Sequence, residues 1–401
     1  MINNISYRVN SIKPSPTIAI TSKARELKAE GKDIIGLGAG EPDFDTPDHI
    51  KKAAIKAIND GKTKYTAVDG IPELKAAIVN KFDKDNNINY EMDEITVGAG
   101  GKQVIFNAFQ ATINKGDEVL IPAPYWVSYP DMVMLAEGRP VIIPTKIEKN
   151  FKIDPIQLKE KITSKTKWLI INSPSNPTGS CYSKKELEAI GEVIKSYPNL
   201  LILSDDIYEK VTYDNFEFTT IVEACPFLKD RTLTLNGVSK AYSMTGWRIG
   251  YAGGSKDLIK AIAKIQSQST TNPSSISQYA ALAALSGEES FIEANNSIFK
   301  RRRNLILDNI NNTTGLSSFC PEGAFYIFPS CEKIIGGKTR DGRELCNSAA
   351  FCEYLLERVG VAVVPGSAFG MENFFRISYA TSDKILEQAG NRIKKACEEI
   401  N

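Results

Sequence analysis

In the segment Thr232-Leu-Thr-Leu-Asn-Gly-Val-Ser-Lys240-Ala-Tyr-Ser-Met-Thr-Gly-Trp-Arg248-Ile-Gly-Tyr251, a β-type run breaks at Gly237 and delivers Lys240 to a loop. Desolvation near a buried strand end disfavours the ammonium form of a lysine, and a neutral amine can attack an aldehyde to form a Schiff base. Arg248 follows a flexible glycine, and its guanidinium can hold a phosphate in a bidentate contact. A lysine beside a phosphate site is what pyridoxal 5'-phosphate (PLP) requires, although a surface lysine and a structural ion pair would fit the same residues.

Length, composition and charge limit the class of protein. A chain of 401 residues predicts two domains, and its 42% hydrophobic and 24% charged residues are ordinary for a globular enzyme. The net charge of +1 predicts no nucleic-acid partner. The chain has no apolar run of about 18 residues, so no membrane span is expected. We expect the one compact basic run, Arg301-Arg302-Arg303, to form a solvated helix face.

Seven cysteines and one histidine narrow the chemistry further. The cysteines are dispersed and contain no Cys-x-x-Cys pair, which predicts reduced thiols and a cytoplasmic location. His49 lies just after Pro47 at an expected helix start, and we interpret it as structural. Ser-His-Asp catalysis and histidine-rich zinc sites are therefore disfavoured, and no metal site is predicted. Proton transfer must fall to another group, for which a lysine is the obvious candidate.

Short apolar runs alternate with helical patterns through the middle of the chain. This alternation predicts an α/β domain with a largely parallel sheet. Ligands bind at the carboxyl ends of strands in open α/β sheets, so the polar clusters that follow these runs should converge on one site. The predicted strands are Ile95–Val97, Glu118–Ile121, Trp168–Ile171, Leu200–Leu203, Thr232–Leu235 and Ile249–Ala252, and the predicted helices are Gln103–Ile113, Lys184–Lys195 and Leu258–Gln268.

After about residue 290 the pattern becomes that of a smaller α+β domain. We expect residues 47–295 to form the large domain, and residues 1–46 together with 296–401 to form the small one. Lys13-Pro-Ser-Pro-Thr17 predicts a rigid N-terminal arm rather than a core element. Helices are predicted at Arg301–Asn309, Ala349–Val359 and Lys384–Glu398, and short strands at Ala324–Phe328, Val361–Val364 and Phe375–Tyr379.

Two glycine-rich segments are candidate phosphate sites. Gly98-Ala-Gly-Gly-Lys102 leads into a helical pattern, and amides at a helix N-terminus favour an anion. The same residues would also fit a tight turn between a strand and a helix. Gly36-Leu-Gly38-Ala-Gly40 is not a dinucleotide fingerprint, because its third glycine comes too early and Pro42 blocks a following helix.

Four further residues lie at or near predicted strand ends. Asp205 follows an apolar run and needs a partner such as a pyridinium N–H, although Asp205 or Asp206 would also serve as a helix cap. Trp126 offers a face for stacking on a ring, and Asn176 offers an amide N–H. Arg376 alternates out of a strand of the small domain and can clamp a carboxylate across the cleft. For each of these residues considered alone, a ligand-binding role is only slightly better supported than a structural role.

Together these motifs resemble the class I aminotransferases, PLP enzymes of fold type I, over nearly the whole chain. The resemblance implies a large domain with a mostly parallel, seven-stranded sheet, a smaller α+β domain, and a homodimer with shared active sites. More narrowly, Lys13-Pro-Ser-Pro-Thr17, Gly101-Lys102-Gln103 and Pro124-Tyr-Trp-Val-Ser-Tyr resemble bacterial aspartate aminotransferases, some of which also use prephenate. The strongest matching motifs are Ser239-Lys240-Ala-Tyr-Ser-Met-Thr-Gly-Trp-Arg248-Ile-Gly, Asn172-Ser-Pro-Ser-Asn176-Pro-Thr-Gly, Ser204-Asp205-Asp206-Ile-Tyr208 and Ala39-Gly40-Glu-Pro-Asp-Phe.

The resemblance also implies a role for each site residue. Lys240 would hold the cofactor covalently and shuttle the proton, and Asp205 would pair with the pyridine nitrogen. Tyr208 and Asn176 would hold the phenolic oxygen, and Trp126 would stack on the ring. The phosphate would rest on Gly100, Gly101, Lys102, Ser239 and Arg248, with Tyr65 reaching across from a second subunit. The substrate would contact Gly40, Trp126, Asn176, Arg376, Lys102, Lys13 and Thr17.

The activity implied by the resemblance is reversible transamination between L-aspartate and 2-oxoglutarate. The alternative is a prephenate aminotransferase that forms arogenate, alone or as a second activity, because the flexible ammonium of Lys102 would accept distal carboxylates of different length. A lyase or synthase on the same scaffold and a PLP-binding regulator remain further alternatives. The resemblance implies small amino and 2-oxo acids as substrates, whereas charge and hydropathy predict no nucleic acid or membrane as partner.

Overall fold

The computed structural model describes residues 4–14 and 16–401, with side chains described at 4–14 and 19–401. Twelve strands lie within these residues: β1 (Ile35–Gly36), β2 (Ile95–Gly98), β3 (Glu118–Ala123), β4 (Arg139–Pro144), β5 (Thr166–Asn172), β6 (Leu201–Asp205), β7 (Thr232–Gly237), β8 (Gly250–Gly253), β9 (Tyr326–Ile327), β10 (Val361–Ala362), β11 (Val364–Pro365) and β12 (Phe375–Ser378).

Fourteen α-helices lie in the same described ranges. They are α1 (Tyr7–Asn10), α2 (Pro16–Ala29), α3 (Asp48–Asn59), α4 (Pro72–Asn86), α5 (Gly101–Thr112), α6 (Ser128–Leu135), α7 (Pro155–Lys161), α8 (Lys184–Lys195), α9 (Ile221–Ala224), α10 (Lys256–Ser267), α11 (Ser275–Ser286), α12 (Ser290–Asn311), α13 (Ser348–Val359) and α14 (Asp383–Cys397). Among them, no helix is both long enough and apolar enough to span a membrane.

The largest sheet has seven strands in the order β2-β8-β7-β6-β5-β3-β4. Its pairs are parallel except those of β8, which runs antiparallel to both β2 and β7. The predicted, largely parallel α/β sheet is therefore confirmed. The sequence analysis missed β4, the edge strand that begins at Arg139 and contains two prolines. Proline is tolerated at a sheet edge, but it weakens the sequence signal of a strand.

Several helices begin and end where local chemistry predicts. Helix α8 follows a capping box in which the Ser183 hydroxyl accepts from the Glu186 amide and the Glu186 carboxylate accepts from the Ser183 amide. Helix α13 begins after Asn347, whose side chain accepts from the Ala350 amide, and ends at Gly360 in the left-handed region. Both helices agree closely with the predicted ranges.

Two smaller sheets and their helices pack around a second hydrophobic cluster. One sheet pairs β1 with β10 and the other has the order β11-β12-β9. Buried aromatic side chains such as Phe325, Phe351 and Phe375 lie in this cluster, apart from the one that covers the seven-stranded sheet. The proposed boundaries of the large and small domains, 47–295 against 1–46 with 296–401, stay a prediction.

One sequence expectation in this region is incomplete and another is wrong. The predicted arm Lys13-Pro-Ser-Pro-Thr17 leads into α2, a helix that was not predicted; it begins at Pro16, a residue suited to a first helical turn, and its Ala24 is buried. The run Arg301-Arg302-Arg303 is not a solvated face. Arg302 and Arg303 are 7% and 3% exposed and pair with acids distant in sequence, whereas Arg301 alone stays on the surface.

Candidate active site

A cavity of about 500 Å³ opens at the carboxyl ends of β5, β6 and β7. Its opposite wall comes from β12, from β9 and from the segment around Gly40. Most of the predicted site residues line this one cavity: Gly40, Gly101, Lys102, Trp126, Asn176, Asp205, Tyr208, Ser239, Lys240, Arg248 and Arg376. The parallel order of the strands brings these residues together although they lie more than 300 positions apart in sequence.

Lys240 follows β7 in the cavity wall, as its sequence motif predicts. Its Nζ donates a hydrogen bond to the carbonyl of Gly40 at 2.6 Å. Burial lowers the pKa of Lys240 to about 8, against the attraction of Glu41 and Asp205 and with the help of the positive charges of Arg376 and Arg248. A substantial fraction of this amine is therefore neutral near physiological pH, which suits it to act as a nucleophile and as a base.

Asp205 is the last residue of β6 and is buried at the floor of the cavity. Its carboxylate accepts hydrogen bonds from the hydroxyl of Tyr129 and, at 3.4 Å, from the amide of Ile207. Burial raises the pKa of Asp205 to about 6, and the hydrogen bond from Tyr129 opposes that rise. The neighbouring Asp206 points elsewhere, because its Oδ1 accepts from Ser204 at 2.8 Å. Only Asp205 of the two lines the cavity.

Arg376 carries an unpaired positive charge in the interior. It is 2% exposed, and its guanidinium donates to Asn176 Oδ1 and to the Gly38 carbonyl, both at 2.7 Å. It lies between two rings, 4.6 Å from the centroid of Tyr326 and 5.0 Å from that of Phe369. Among the described residues no carboxylate pairs with it, and Nε has no hydrogen-bond partner. A buried guanidinium of this kind calls for an anionic ligand.

Tyr208 and Asn176 face the cavity from neighbouring strand ends. The Tyr208 and Tyr326 hydroxyls lie 2.8 Å apart, and the Nζ of Lys240 lies 5.7 Å from the centre of the Tyr208 ring. The Asn172 side chain holds the Asn176 amide at 2.9 Å, and it also donates to the Asp205 carbonyl at 2.8 Å. Since Oδ1 of Asn176 accepts from Arg376, its side-chain NH₂ is the group left for a ligand.

The start of α5 and the loop after β7 form a place for an anion. Gly100 has a φ of +91°, and a Cβ there would lie 2.3 Å from Nη2 of Arg248, so only glycine fits. Arg248 donates to the carbonyls of Thr245 and Ala99 at 3.1 and 3.4 Å, and among the described residues no carboxylate pairs with it. Gly101 and Ser239 line the same corner of the cavity, where amides at the helix N-terminus also favour negative charge.

Lys102, at the start of α5, and Trp126, after β3, both line the cavity. The ammonium of Lys102 lies 4.8 Å from the centre of the Trp126 ring, which is within the range of a cation–π contact. Partial burial and the charge of Arg248 lower the pKa of Lys102, whereas Asp131 opposes this change. Lys102 therefore presents a cation to the cavity beside the Trp126 ring.

Three predicted site residues whose side chains are described do not line the cavity. Gly100 lies just behind it against Arg248. Tyr65 is 89% exposed on the surface of the described chain. Lys13 is exposed, and its charge lowers the pKa of Asp131 against the effect of burial. Thr17 falls in α2, but its side chain lies outside the described residues.

Two tyrosines of the site were not predicted. Tyr129 donates to Asp205, and its ring packs edge-on against Trp126 with centroids 5.2 Å apart. Tyr326 contacts Tyr208 and Arg376, and a Cβ on Gly40 would lie 3.0 Å from its hydroxyl. Both tyrosines occur in apolar runs that look like ordinary core. The three-residue spacing of Trp126 and Tyr129 at the start of α6 was the one available signal.

Comparisons with known proteins agree with this geometry. A sequence profile of the family "Aminotransferase class I and II" matches residues 32–393. The probable aspartate/prephenate aminotransferase of Rickettsia prowazekii is 60% identical over 393 residues, which cover 98% of each chain. The aspartate/prephenate aminotransferase of Cereibacter sphaeroides is 57% identical over 393 residues, with the same coverage.

Solved structures lead to the same group. The crystal structure of the aspartate aminotransferase from Rhizobium meliloti superposes with a TM-score of 0.97 at 50% identity and covers 99% of this chain and 100% of that one. The aspartate aminotransferase from Thermus thermophilus with maleate has a TM-score of 0.92 at 43% identity, with 98% and 100% covered. From the family match, the relatives and the cavity together, it follows that this chain belongs to the class I and II aminotransferase family.

Proposed function

We propose that this chain is a PLP-dependent aminotransferase that transfers an amino group between L-aspartate and 2-oxoglutarate, giving oxaloacetate and L-glutamate. The strongest support is the placement, around one cavity, of a lysine with a lowered pKa, a buried aspartate and an unpaired buried arginine. Names of relatives that share 50% to 60% of their residues with this chain support aspartate as the substrate.

The residues present fit PLP. When bound, PLP supplies a reactive aldehyde and a ring that withdraws electrons. Gly100, Gly101, Ser239 and Arg248 would hold its phosphate, because the missing side chain of Gly100 lets the Arg248 guanidinium approach the backbone at the start of α5. Asp205 would accept a hydrogen bond from the ring nitrogen, Trp126 would stack on the ring, and Tyr208 and Asn176 would donate to its phenolic oxygen. Lys240 would be the covalent attachment point.

The chemical steps assign proton transfer to Lys240. As a neutral amine it would take the proton from the substrate Cα, hold it on Nζ and later release it, while the bound cofactor would supply the electron-withdrawing ring that makes the Cα proton acidic. The carbonyl of Gly40, 2.6 Å away, stabilises the charged form while the proton is held. Asp205 keeps a negative charge at the cavity floor, and the Tyr129 hydroxyl keeps that carboxylate ionised and oriented. Lys240, after β7, would thus transfer the proton, and Asp205, at the end of β6, would stabilise the charge.

Arg376 would bind the α-carboxylate that every substrate of this reaction carries. Its two NH₂ groups are already held by Asn176 and Gly38, so the guanidinium plane is fixed before a substrate arrives. The ammonium of Lys102 would bind the distal carboxylate, with Lys13 and Thr17 nearby in the chain's N-terminal part. A point charge on a flexible stem tolerates both the shorter aspartate and the longer glutamate.

We also propose a homodimer in which Tyr65 completes the phosphate site of the partner subunit. A tyrosine that is 89% exposed on the described surface buries its ring if a second copy packs against it. A cytoplasmic location is proposed as well, because all seven cysteines are free and five of them are buried.

A second activity on prephenate is proposed because two relatives carry names that combine aspartate and prephenate. The Lys102 ammonium rests on Trp126 rather than in an ion pair, so it can move to a carboxylate on a bulkier acid. The product of that activity would be arogenate.

A half-reaction experiment tests both activities. PLP-loaded protein is mixed with L-glutamate, the visible absorbance of the cofactor is followed until it falls, and oxaloacetate or prephenate is then added in separate runs. We expect the absorbance to fall with glutamate and to return with oxaloacetate. A return with prephenate at a comparable rate would support the second activity. The Lys240→Ala variant is the control and should show neither change.

A chain whose absorbance does not respond to glutamate would contradict the transaminase proposal and favour a lyase or a binding protein. If the absorbance returns with oxaloacetate but not with prephenate, the aspartate aminotransferase proposal stands and the second activity on prephenate is rejected.

A further inference from the structure

The segment of residues 38–46 crosses the cavity and touches the functional groups with its backbone. The Gly38 carbonyl accepts from Arg376 at 2.7 Å, and the Gly40 carbonyl accepts from Lys240 at 2.6 Å. The position of this segment therefore sets the orientation of both cations. The carbonyls themselves cannot be changed by mutation, so whatever holds the segment determines the site.

One side of the 38–46 segment is attached to the loop that carries Lys240. Thr46 Oγ1 donates to the Ser243 carbonyl at 2.7 Å and accepts from the Trp247 indole N–H at 2.9 Å. Thr245 donates to the Glu41 carboxylate at 3.1 Å. These bonds tie the segment to the large sheet.

The other side packs against α12, where a buried arginine contacts it. Arg302, on α12, donates from both NH₂ groups to the two oxygens of Asp43, at 2.7 and 2.9 Å. Its guanidinium lies 5.2 Å from the centre of the Phe44 ring and 6.0 Å from that of Phe299, and the two rings pack edge to face at 5.1 Å. Arg302 is 7% exposed, and its Nε also lies 3.4 Å from Asp383 on α14. A buried bidentate pair of this kind fixes geometry as well as charge.

We propose that Arg302 is a positioning residue for the reaction: through its fork on Asp43 it holds the 38–46 segment so that Gly38 and Gly40 keep Arg376 and Lys240 in place. Arg302 does not line the cavity, so it acts through the segment and not on the substrate. The proposal rests on the proposed function only for the meaning of Arg376 and Lys240 as the groups that meet substrate.

The chain offers matched controls for this proposal. Asp383 is the second acid near Arg302 and touches no residue of the 38–46 segment in the described hydrogen bonds and ion pairs. Arg303 is the next residue on α12, is 3% exposed, pairs with Asp214 at 2.6 Å and donates to the Pro321 carbonyl at 2.8 Å. Both controls lose a comparable buried or semi-buried ion pair without releasing the segment.

The first readout is the affinity for maleate, an unreactive dicarboxylate, measured by calorimetry on the PLP-loaded chain. In Asp43→Asn an amide NH₂ faces a guanidinium that can only donate, so the fork is lost. We expect maleate to bind about tenfold more weakly to Asp43→Asn, the loss typical of one charge-assisted hydrogen bond. Asp383→Asn should change the affinity less than twofold, the size that neutral surface changes produce.

The second readout is the labelling of Lys240 in the full-length chain freed of cofactor. Formaldehyde with a borohydride reductant methylates neutral amines, and peptide mass spectrometry follows Lys240 as a function of pH. The charged groups that face Lys240 are Glu41, Asp205, Arg248 and Arg376. Burial is the largest cause of the lowered pKa of Lys240, and releasing the segment lets water reach the amine, so the labelling midpoint of Asp43→Asn should rise by about 0.5 to 1 pH unit.

Arg302→Lys and Arg303→Lys form a second matched pair, since lysine keeps the charge and loses the fork. We expect Arg302→Lys to reproduce the effects of Asp43→Asn, and Arg303→Lys to lower the Tm without changing either readout. Two outcomes would overturn the proposal and leave Arg302 as a stabilising residue only. In the first, the two members of a pair, Asp43→Asn with Asp383→Asn or Arg302→Lys with Arg303→Lys, have equal effects on the readouts. In the second, Asp43→Asn and Arg302→Lys leave both readouts unchanged. If the parent chain fails to bind maleate, the proposed function is contradicted, and the Lys240 labelling still decides the role of Arg302.

Discussion

The two walls of the cavity hold charge in different ways. On the wall built from the seven-stranded sheet, burial brings the pKa of Lys240 down to about 8 and that of Asp205 up to about 6, so both groups titrate close to neutrality. On the opposite wall, Arg376 is locked by Asn176 and Gly38 and stays charged at any working pH. The first wall is suited to move protons and the second to hold a carboxylate still.

This comparison explains why an arginine and a lysine face each other across one site. A proton carrier needs a pKa that its surroundings can shift, and lysine allows this. A substrate anchor needs a fixed fork and a permanent charge, which arginine supplies. Lys240→Arg should therefore impair proton transfer, and Arg376→Lys should weaken the binding of the substrate carboxylate.

The largest effect is expected for Lys240→Ala. Loss of the group that moves the proton should lower kcat by at least about 10²–10⁴-fold, the range attributed to positioned proton transfer. Steady-state rates with aspartate and 2-oxoglutarate measure it, and Lys102→Ala is the informative comparison, since it should raise KM for dicarboxylates and leave the proton step intact. Near-native turnover by Lys240→Ala would remove this lysine from the mechanism.

The two adjacent aspartates provide the next test of the same wall. Asp205→Asn should lower kcat by about 10²-fold, because the negative charge at the cavity floor is lost. Asp206→Asn is the matched control. Burial raises the pKa of Asp206 to about 8, above that of Asp205, so Asp206 favours the neutral form more strongly, and its Oδ2 has no hydrogen-bond partner among the described residues. If kcat fell to a similar extent in both variants, the negative charge needed for catalysis could not be assigned to Asp205.

The same pair has a stability signature. The folded-state pKa of Asp205 is raised from 3.8 to about 6, so its burial destabilises the cofactor-free fold progressively as the pH rises from 3.8 to about 6, and fully above that. Asp205→Asn should therefore raise the Tm of the cofactor-free chain at a pH well above 6. The gain should disappear as the pH falls below 3.8, where the acid is protonated in the folded and unfolded chains alike. Thermal unfolding followed by circular dichroism at several pH values checks this sign.

The opposite wall is tested by Arg376→Lys. Lysine keeps the charge but cannot make the fork, and it leaves Asn176 and Gly38 without one of their donors. We expect KM for aspartate to rise about 10- to 100-fold with a smaller change in kcat, from the loss of about 1.5–3 kcal/mol of charge-assisted hydrogen bonding. A fall confined to kcat would mean that this wall also takes part in the chemical step.

The two walls also differed in how well the sequence predicted them. Asp205, Asn176 and Lys240 each follow an apolar run, and the topology of parallel strands sends all such ends to one edge, so their convergence was predictable. Tyr129 and Tyr326 were not predictable, because a tyrosine in an apolar run is normally core. The hydroxyl of Tyr129 contacts Asp205, and that of Tyr326 contacts Tyr208, only in the folded chain.

The arginine run on α12 shows the limit of local patterns. Three consecutive arginines point to solvent by periodicity alone, and the buried pairs of Arg302 and Arg303 involve acids 259 and 89 positions away. Such long-range pairs leave no local signal. The helix that begins at Pro16 was missed for another reason, since prolines mark both extended arms and first helical turns.

The smallest effect is expected for Tyr129→Phe, which removes one hydroxyl and keeps the ring that packs on Trp126. The hydrogen bond from Tyr129 lowers the pKa of Asp205 against the effect of burial, so its loss should raise that pKa further above 6. The acid limb of the kcat profile should then move to higher pH, with kcat about 3- to 10-fold lower near pH 6 and closer to the parent value at higher pH. A uniform fall at every pH would instead mean that Tyr129 supports packing and does not tune Asp205. In that case the proton-moving wall would depend on burial alone to set its charge.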